Sequence, residues 1–223
     1  MDYFPVVIDV FPNNPNTGEQ FTADEFLGYI RKNINDFIAT DQTTFSPYDY
    51  LDTGFDESAI WFSNNPLGAI IHLDINTVGP GGVPISNDGS VLCSETNNDN
   101  WTFTTLEAAG DWTHPVSGNR EIGYFYDPKD GLNGSYTFYT RGVDRITESI
   151  DTEIATWMQL DSPFQGGDNL WFSFQNGIAD FVNDSNNGAG LAIALPYVTN
   201  RPNWEEIKDV LLGNKPISDL GCD

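Results

Sequence analysis

The sequence predicts an α+β fold: an antiparallel β-meander sheet with helices from both chain ends packed on it. Three observations carry this expectation. Apolar residues recur at helical spacing near each end, the period shortens to that of strands from Ile60 to Arg141, and turn-forming residues punctuate that middle stretch. Helices clustered at both ends of a run of strands must bury their apolar stripes against one face of the sheet.

The elements follow in order. Residues 1–20 form a Pro- and Asn-rich lead-in expected to be partly irregular, so the first ordered element is a helix from about Ala23 to Ile38. Thr22 and Glu25 make a capping box, and Phe26, Leu27, Ile30, Ile34, Phe37 and Ile38 form its stripe. Asp41 to Phe55, rich in Asp, Thr, Ser and Pro, reads as loop. Ile60–Phe62 and Ala69–Ile75 read as strands, Val91–Ser94 follows an Asp88-Gly89 turn signal, and Trp101–Leu106 alternates Thr with apolar residues. Glu121–Tyr126 and Tyr136–Arg141 flank a turn-rich segment from Pro128 to Gly134 and read as a hairpin. Five or six consecutive strands make the meander. Beyond them, Ile146, Ile150, Ile154, Trp157 and Met158 mark one helix, and Leu170, Trp171, Phe174, Ile178, Phe181 and Val182 a second, opened by Asp168. Leu191–Leu195 reads as a short buried strand. Trp204–Leu212 reads as a closing helix, capped by Asn203 with Glu206 and stopped by Gly213, before an irregular tail over residues 213–223.

A length of 223 residues suits a single domain spanning 1–223, with 39% hydrophobic and 13% aromatic residues to fill a ring-rich core. The outstanding feature is charge: 33 acidic residues against nine basic ones give −24. Such a field repels phosphate backbones and anionic headgroups, so neither nucleic acid nor membrane is expected as a partner. It serves solubility, or docking to a basic partner, or mimicry of a polyanion. No segment approaches the ~20 apolar residues of a membrane helix, and Met1-Asp2-Tyr3-Phe4-Pro5 lacks the basic start of a signal peptide. A soluble monomer is expected, and if it leaves its cell it does so by a route that needs no cleaved signal. Cys93 and Cys222 are no disulfide framework; they read as free thiols, with a bridge from tail to sheet as the alternative.

Because positive charge is scarce, its placement is informative. Arg120, Lys129, Arg141 and Arg145 fall in one stretch, with His114 just upstream. If the two flanking strands pair, Arg120 and Glu121 meet Arg141, Asp144 and Arg145 at the open end of the hairpin. Arginine forks bind carboxylate or phosphate, and a His with a Glu moves protons, so His114, Arg120 and Glu121 are the candidate catalytic residues and Arg141, Asp144 and Arg145 the candidate binding residues. The same composition suits a structural ion-pair network, which is the plainer reading. His72 alternates with apolar neighbours as an ordinary strand histidine. Two His and two Cys without paired spacing give no zinc motif, and no cofactor or metal is expected. The oxygen-rich runs Thr96–Asn100 and Asn183–Gly188 do not follow a calcium-loop pattern and read as turns.

Four stretches carry a wider likeness: Phe21–Phe26 through Asn33–Phe37, Ser63–Gly68, His114–Glu121 and Tyr136–Arg145. Together with the ending Ile217–Cys222 they resemble an uncharacterised module of polymorphic-toxin and contractile-injection effector proteins of Bacteroidetes-type bacteria, over about Asn16 to Cys222. The resemblance implies delivery: a cargo made in the bacterial cytoplasm, loaded by tube or loading proteins of an injection particle and destined for the outside or a target cell. It implies no chemistry. The alternatives are a hydrolase-type enzyme centred on His114, Arg120 and Glu121, and an adaptor module for another toxin.

Overall fold

The computed structural model describes residues 1–49, 56–78, 84–111, 114, 116–128, 134–146, 164–184, 188, 190–202 and 204–220. Nine antiparallel strands form one sheet: β1 (Asp2–Val10), β2 (Thr43–Pro47), β3 (Ile70–Val78), β4 (Pro84–Thr96), β5 (Asn100–Leu106), β6 (Val116–Asp127), β7 (Ser135–Ile146), β8 (Leu191–Ala194) and β9 (Val198–Thr199). Their order is β2-β3-β4-β5-β6-β7-β1-β8, with β9 also pairing β1. The fold is α+β, and β2 to β7 are a meander in chain order. Among the described residues four helices accompany the sheet: α1 (Ala23–Lys32), α2 (Ser58–Trp61), α3 (Gln165–Asn183) and α4 (Trp204–Leu211). None among the described residues is long and apolar enough to cross a membrane.

Five segments depart from the sequence reading. Residues 2–10 of the supposed lead-in are a strand whose burial leaves Phe4, Val6 and Ile8 at most 1% exposed. Its polar and Pro-containing neighbours hide the alternation, and Pro5 is tolerated because its hydrogen-bonding side faces Leu195, beyond the end of the β8 ladder. Ile60–Phe62 lies in and after the single helical turn α2, which Asp56 opens by accepting from the Ser58 amide (2.7 Å). Asp88 and Gly89 are no turn: β4 runs straight through them, pairing Asp88 with Asp74 and Gly89 with Leu73. Glycine stands there because His114 packs where a Cβ would sit. The loop expected over 41–55 likewise contains β2, and Leu191–Leu195 is a strand with Leu191 and Ile193 about half exposed rather than buried. Of the helix expected from Ile146 to Met158, Ile146 is the last residue of β7 and the rest lies outside the described residues, as do Asn203 and Cys222.

The core lies on one face of the sheet. Phe45 of β2, Ile71 and Leu73 of β3, Val91 and Cys93 of β4, Trp101 and Phe103 of β5, Ile122 of β6, Phe138 of β7 and Phe4, Val6 and Ile8 of β1 meet the apolar sides of α1 and α3 in one cluster. The link from β1 to β2 runs from one side of the sheet to its far edge, and α1 lies within it. From α3, Gln175 Nε2 donates to the carbonyls of Pro5 (2.6 Å) and Leu195 (2.7 Å), pinning the helix to β1 and to the end of β8. Gly177 lets α3 approach so closely that a Cβ there would strike the Phe37 carbonyl, where the 3-10 turn Ile34–Phe37 follows α1. Cys93 is a buried free thiol, and burial pushes its pKa up to about 11, with Arg31 acting in the opposite direction.

The capping box of α1 is formed as the sequence predicts: the Glu25 amide donates to Thr22 Oγ1 (3.3 Å) and the Thr22 amide to Glu25 Oε2 (3.0 Å). Thr22→Ala should cost about 1 kcal/mol of stability, read from chemical unfolding. These bonds lower the Glu25 pKa, so the cap's contribution is complete above the unfolded glutamate value and fades as pH falls through the folded one.

Candidate functional site

The β6–β7 hairpin pairs Arg120 with Gly142, Glu121 with Arg141, Gly118 with Asp144 and Ser117 with Arg145. The convergence read from the sequence is therefore present, but strand alternation divides it between two faces. Arg120, Gly142 and Asp144 point to the core face; Glu121, Arg141 and Arg145 stand on the opposite one.

On the core side, Arg120 is 6% exposed and forks onto Asp2, with Nη1 2.6 Å from Oδ1 and Nη2 2.9 Å from Oδ2. Nη2 also donates to Asp144 Oδ2 (2.8 Å). The guanidinium lies 4.6 Å from the Trp171 ring centroid of α3 and passes over Gly142, where a Cβ would collide with it. The lattice continues: Arg201 Nη2 binds Asp168 Oδ1 (2.5 Å), lies 3.8 Å from Asp2 Oδ2, and Nη1 donates to the Met1 carbonyl (3.1 Å). Arg201 also sits 4.5 Å from the Phe164 ring. Burial raises the Asp168 pKa against the pull of Arg201. Two arginines and three aspartates thus tie β1, β6, β7, α3 and the segment after β9 together.

On the other face, Arg141 Nη2 lies 2.9 Å from Glu121 Oε1, and the Tyr139 hydroxyl donates to the same oxygen. Arg141 stands 5.2 Å from the Tyr139 ring, itself beside Tyr3 at 5.9 Å. Burial, reinforced by the bond to Glu121, raises the Tyr139 pKa, while that bond raises Arg141. Arg145 is exposed.

His114 lies within electrostatic reach of Asp144 in the core-side lattice. Its Nδ1 donates to the Val116 carbonyl (2.8 Å), and its ring packs on Gly89. Burial lowers its pKa, opposed by the Val116 bond and by Asp144. The sign follows: a histidine held neutral in the fold contributes stability that is fully present above the unfolded value, ~6.5, and is lost as pH falls below it towards the folded value. Unfolding free energy should therefore decline as pH falls from neutral through the unfolded histidine value, and more shallowly in His114→Gln, measured by urea titrations across that range.

Two further polar clusters were not legible from spacing. His72 Nδ1 lies 3.0 Å from Asp111 Oδ1, and Ser90 Oγ donates to Asp111 Oδ2. Here the carboxylate sits between serine and histidine, so the imidazole cannot take the serine proton as a triad base would. Second, a groove runs along the outward side of α1, made of two adjoining cavities of about 220 and 430 Å³ that share Asp24, Gly28, Lys32 and Asn64. At the smaller one, Arg31 and Trp101 reach the wall from the core. Asp2, the main partner of Arg120, was missed because nothing local marks it: the contact spans 118 residues. Compared with known proteins, the chain matches no protein-family model and no curated protein.

Proposed function

We propose that this chain is an effector-type cargo of a contractile injection machine, recognised through its acidic surface by tube or loading proteins, and that it acts by binding rather than through a hydrolytic centre. The observation that carries the reading is the internal use of its scarce cations. Arg120, Arg141, Arg201, Lys208 and Lys215 each pair with a carboxylate of the same chain. With 33 acids against nine bases, the charge left to the surroundings is overwhelmingly negative, suited to a basic lumen or chaperone.

The arrangement at the hairpin supports binding over hydrolysis. Both Nη groups of Arg120 are committed to Asp2 and Asp144, and Glu121 lies on the far face of the sheet from it. A proton-transfer pair must stand within hydrogen-bond reach of one substrate. The test is co-purification with assembled particles from the producing cells. Retention that weakens with salt is the expected result. Protein abundant in the free cytosolic fraction and absent from intact particles would overturn the reading.

A further inference from the structure

The α1 groove stands apart from the hairpin and does not rest on the delivery reading. Its smaller cavity holds a feature unusual in so acidic a chain: a buried cation with no anion beside it among the described residues. Arg31 is 6% exposed, yet its guanidinium donates only to backbone carbonyls, of Trp61 and of Ser63 (2.7 Å), and lies 5.0 Å from the Trp61 ring. Among the described residues no carboxylate pairs with it, and none pairs with its neighbour Lys32. Carbonyl dipoles and a ring face stabilise a guanidinium without neutralising it, so the charge remains available to an incoming anion.

A second observation points the same way. Trp101 lines this cavity, is 2% exposed, and its indole Nε1 is buried without an acceptor among the described residues. A buried donor left unmatched is costly; this one is sealed from the open space, and a shift of the wall that admitted a ligand oxygen would satisfy it. The remaining wall is amide-rich: Asn64 and Asn98 carry side chains that both donate and accept, which matches hydroxyl groups. Asp24 contributes the one carboxylate of the wall, with one oxygen taken by the Tyr124 hydroxyl. Two cations against one carboxylate leave a single net positive charge. That balance fits a monoanion bearing hydroxyls better than a phosphate dianion. At about 220 Å³ the space is smaller than the ~300 Å³ at which drug-sized pockets begin, so it admits one small unit.

We propose that this cavity is a binding site for a sugar acid, the carboxylate facing Arg31 and Lys32 and the hydroxyls facing the asparagine amides. Gly28 supplies a clean test. It lies on the wall common to both cavities, and a Cβ added there meets nothing within 4 Å, so Gly28→Leu plugs the groove without straining the helix. The full-length protein is titrated by calorimetry with glucuronate, galacturonate and N-acetylneuraminate at millimolar concentration, alongside glucose and inorganic phosphate. The expected result is that at least one sugar acid binds at least about tenfold more tightly than glucose and phosphate, a difference of about 1.4 kcal/mol. Binding should be lost in Gly28→Leu and weakened in Lys32→Ala, both of which unfold no earlier than wild type. Equal affinity for glucuronate and glucose, tighter binding of phosphate, no binding of any sugar acid, or binding unchanged in folded Gly28→Leu would each overturn the proposal.

Discussion

Arg120→Leu should lose about 3–5 kcal/mol of stability, a large share of the 5–15 kcal/mol available to a domain. The loss arises from what remains rather than from what is removed. Asp2 is 5% exposed and Asp144 is largely covered, so deleting the guanidinium strands two carboxylates out of water. Arg120→Lys should lie between wild type and Arg120→Leu, because an ammonium cannot span both oxygens of Asp2 while reaching Asp144. Adding Asp2→Asn to Arg120→Leu should recover part of the loss, since one stranded charge disappears. The measurement is the urea midpoint at unchanged slope. A single variant unfolding at the wild-type midpoint would show that the lattice does not hold the sheet together. The same expectation bears on function: activity lost in an Arg120 variant is informative only where the variant is shown to be folded.

A comparable loss, about 3–5 kcal/mol, is expected for Phe26→Ala. Phe26 is fully buried in α1 and meets five rings, those of Phe11, Phe21, Phe37, Phe138 and Phe181, with centroids between 5.2 and 6.4 Å. It thereby joins the segment after β1, the 3-10 turn, the sheet and α3, and none of these can collapse independently into the space it leaves. Phe62→Ala, at a side chain 48% exposed, should change stability by no more than about 0.5 kcal/mol and serves as the control. Equal effects at the two positions would contradict the placement of the core.

How much of this was legible in the sequence depends on the range of the interaction. The capping box Thr22/Glu25, the stripe of α3 and the β6–β7 register were legible because their signals lie within a few residues or across one turn. The hairpin placed Arg120 near Asp144 as expected. What alternation also required, the separation of Arg120 from Glu121 by the thickness of the sheet, becomes visible once each strand's buried face is fixed. Gly89 misled because glycine marks close approach as readily as it marks a turn, and only the His114 ring tells them apart. Asp2, β1 and the buried cation Arg31, which meets no carboxylate among the described residues, had no local signal at all, since each is defined by groups remote in the chain.

The place of β1 in the sheet has a kinetic consequence. This strand lies between β7 and β8, with Asp2 meeting Arg120 across 118 residues and Met1 meeting Asn200 across 199. Its two hydrogen-bonding edges thus wait for partners translated much later, and the chain pays a long loop-closure entropy before those contacts form. Phe4, Val6 and Ile8 stay uncovered in the nascent polypeptide until β7 and β8 have been made. Folding of this sheet is therefore expected to be slow for its size, with an interval in which an apolar strand is open to a chaperone or to a wrong neighbour.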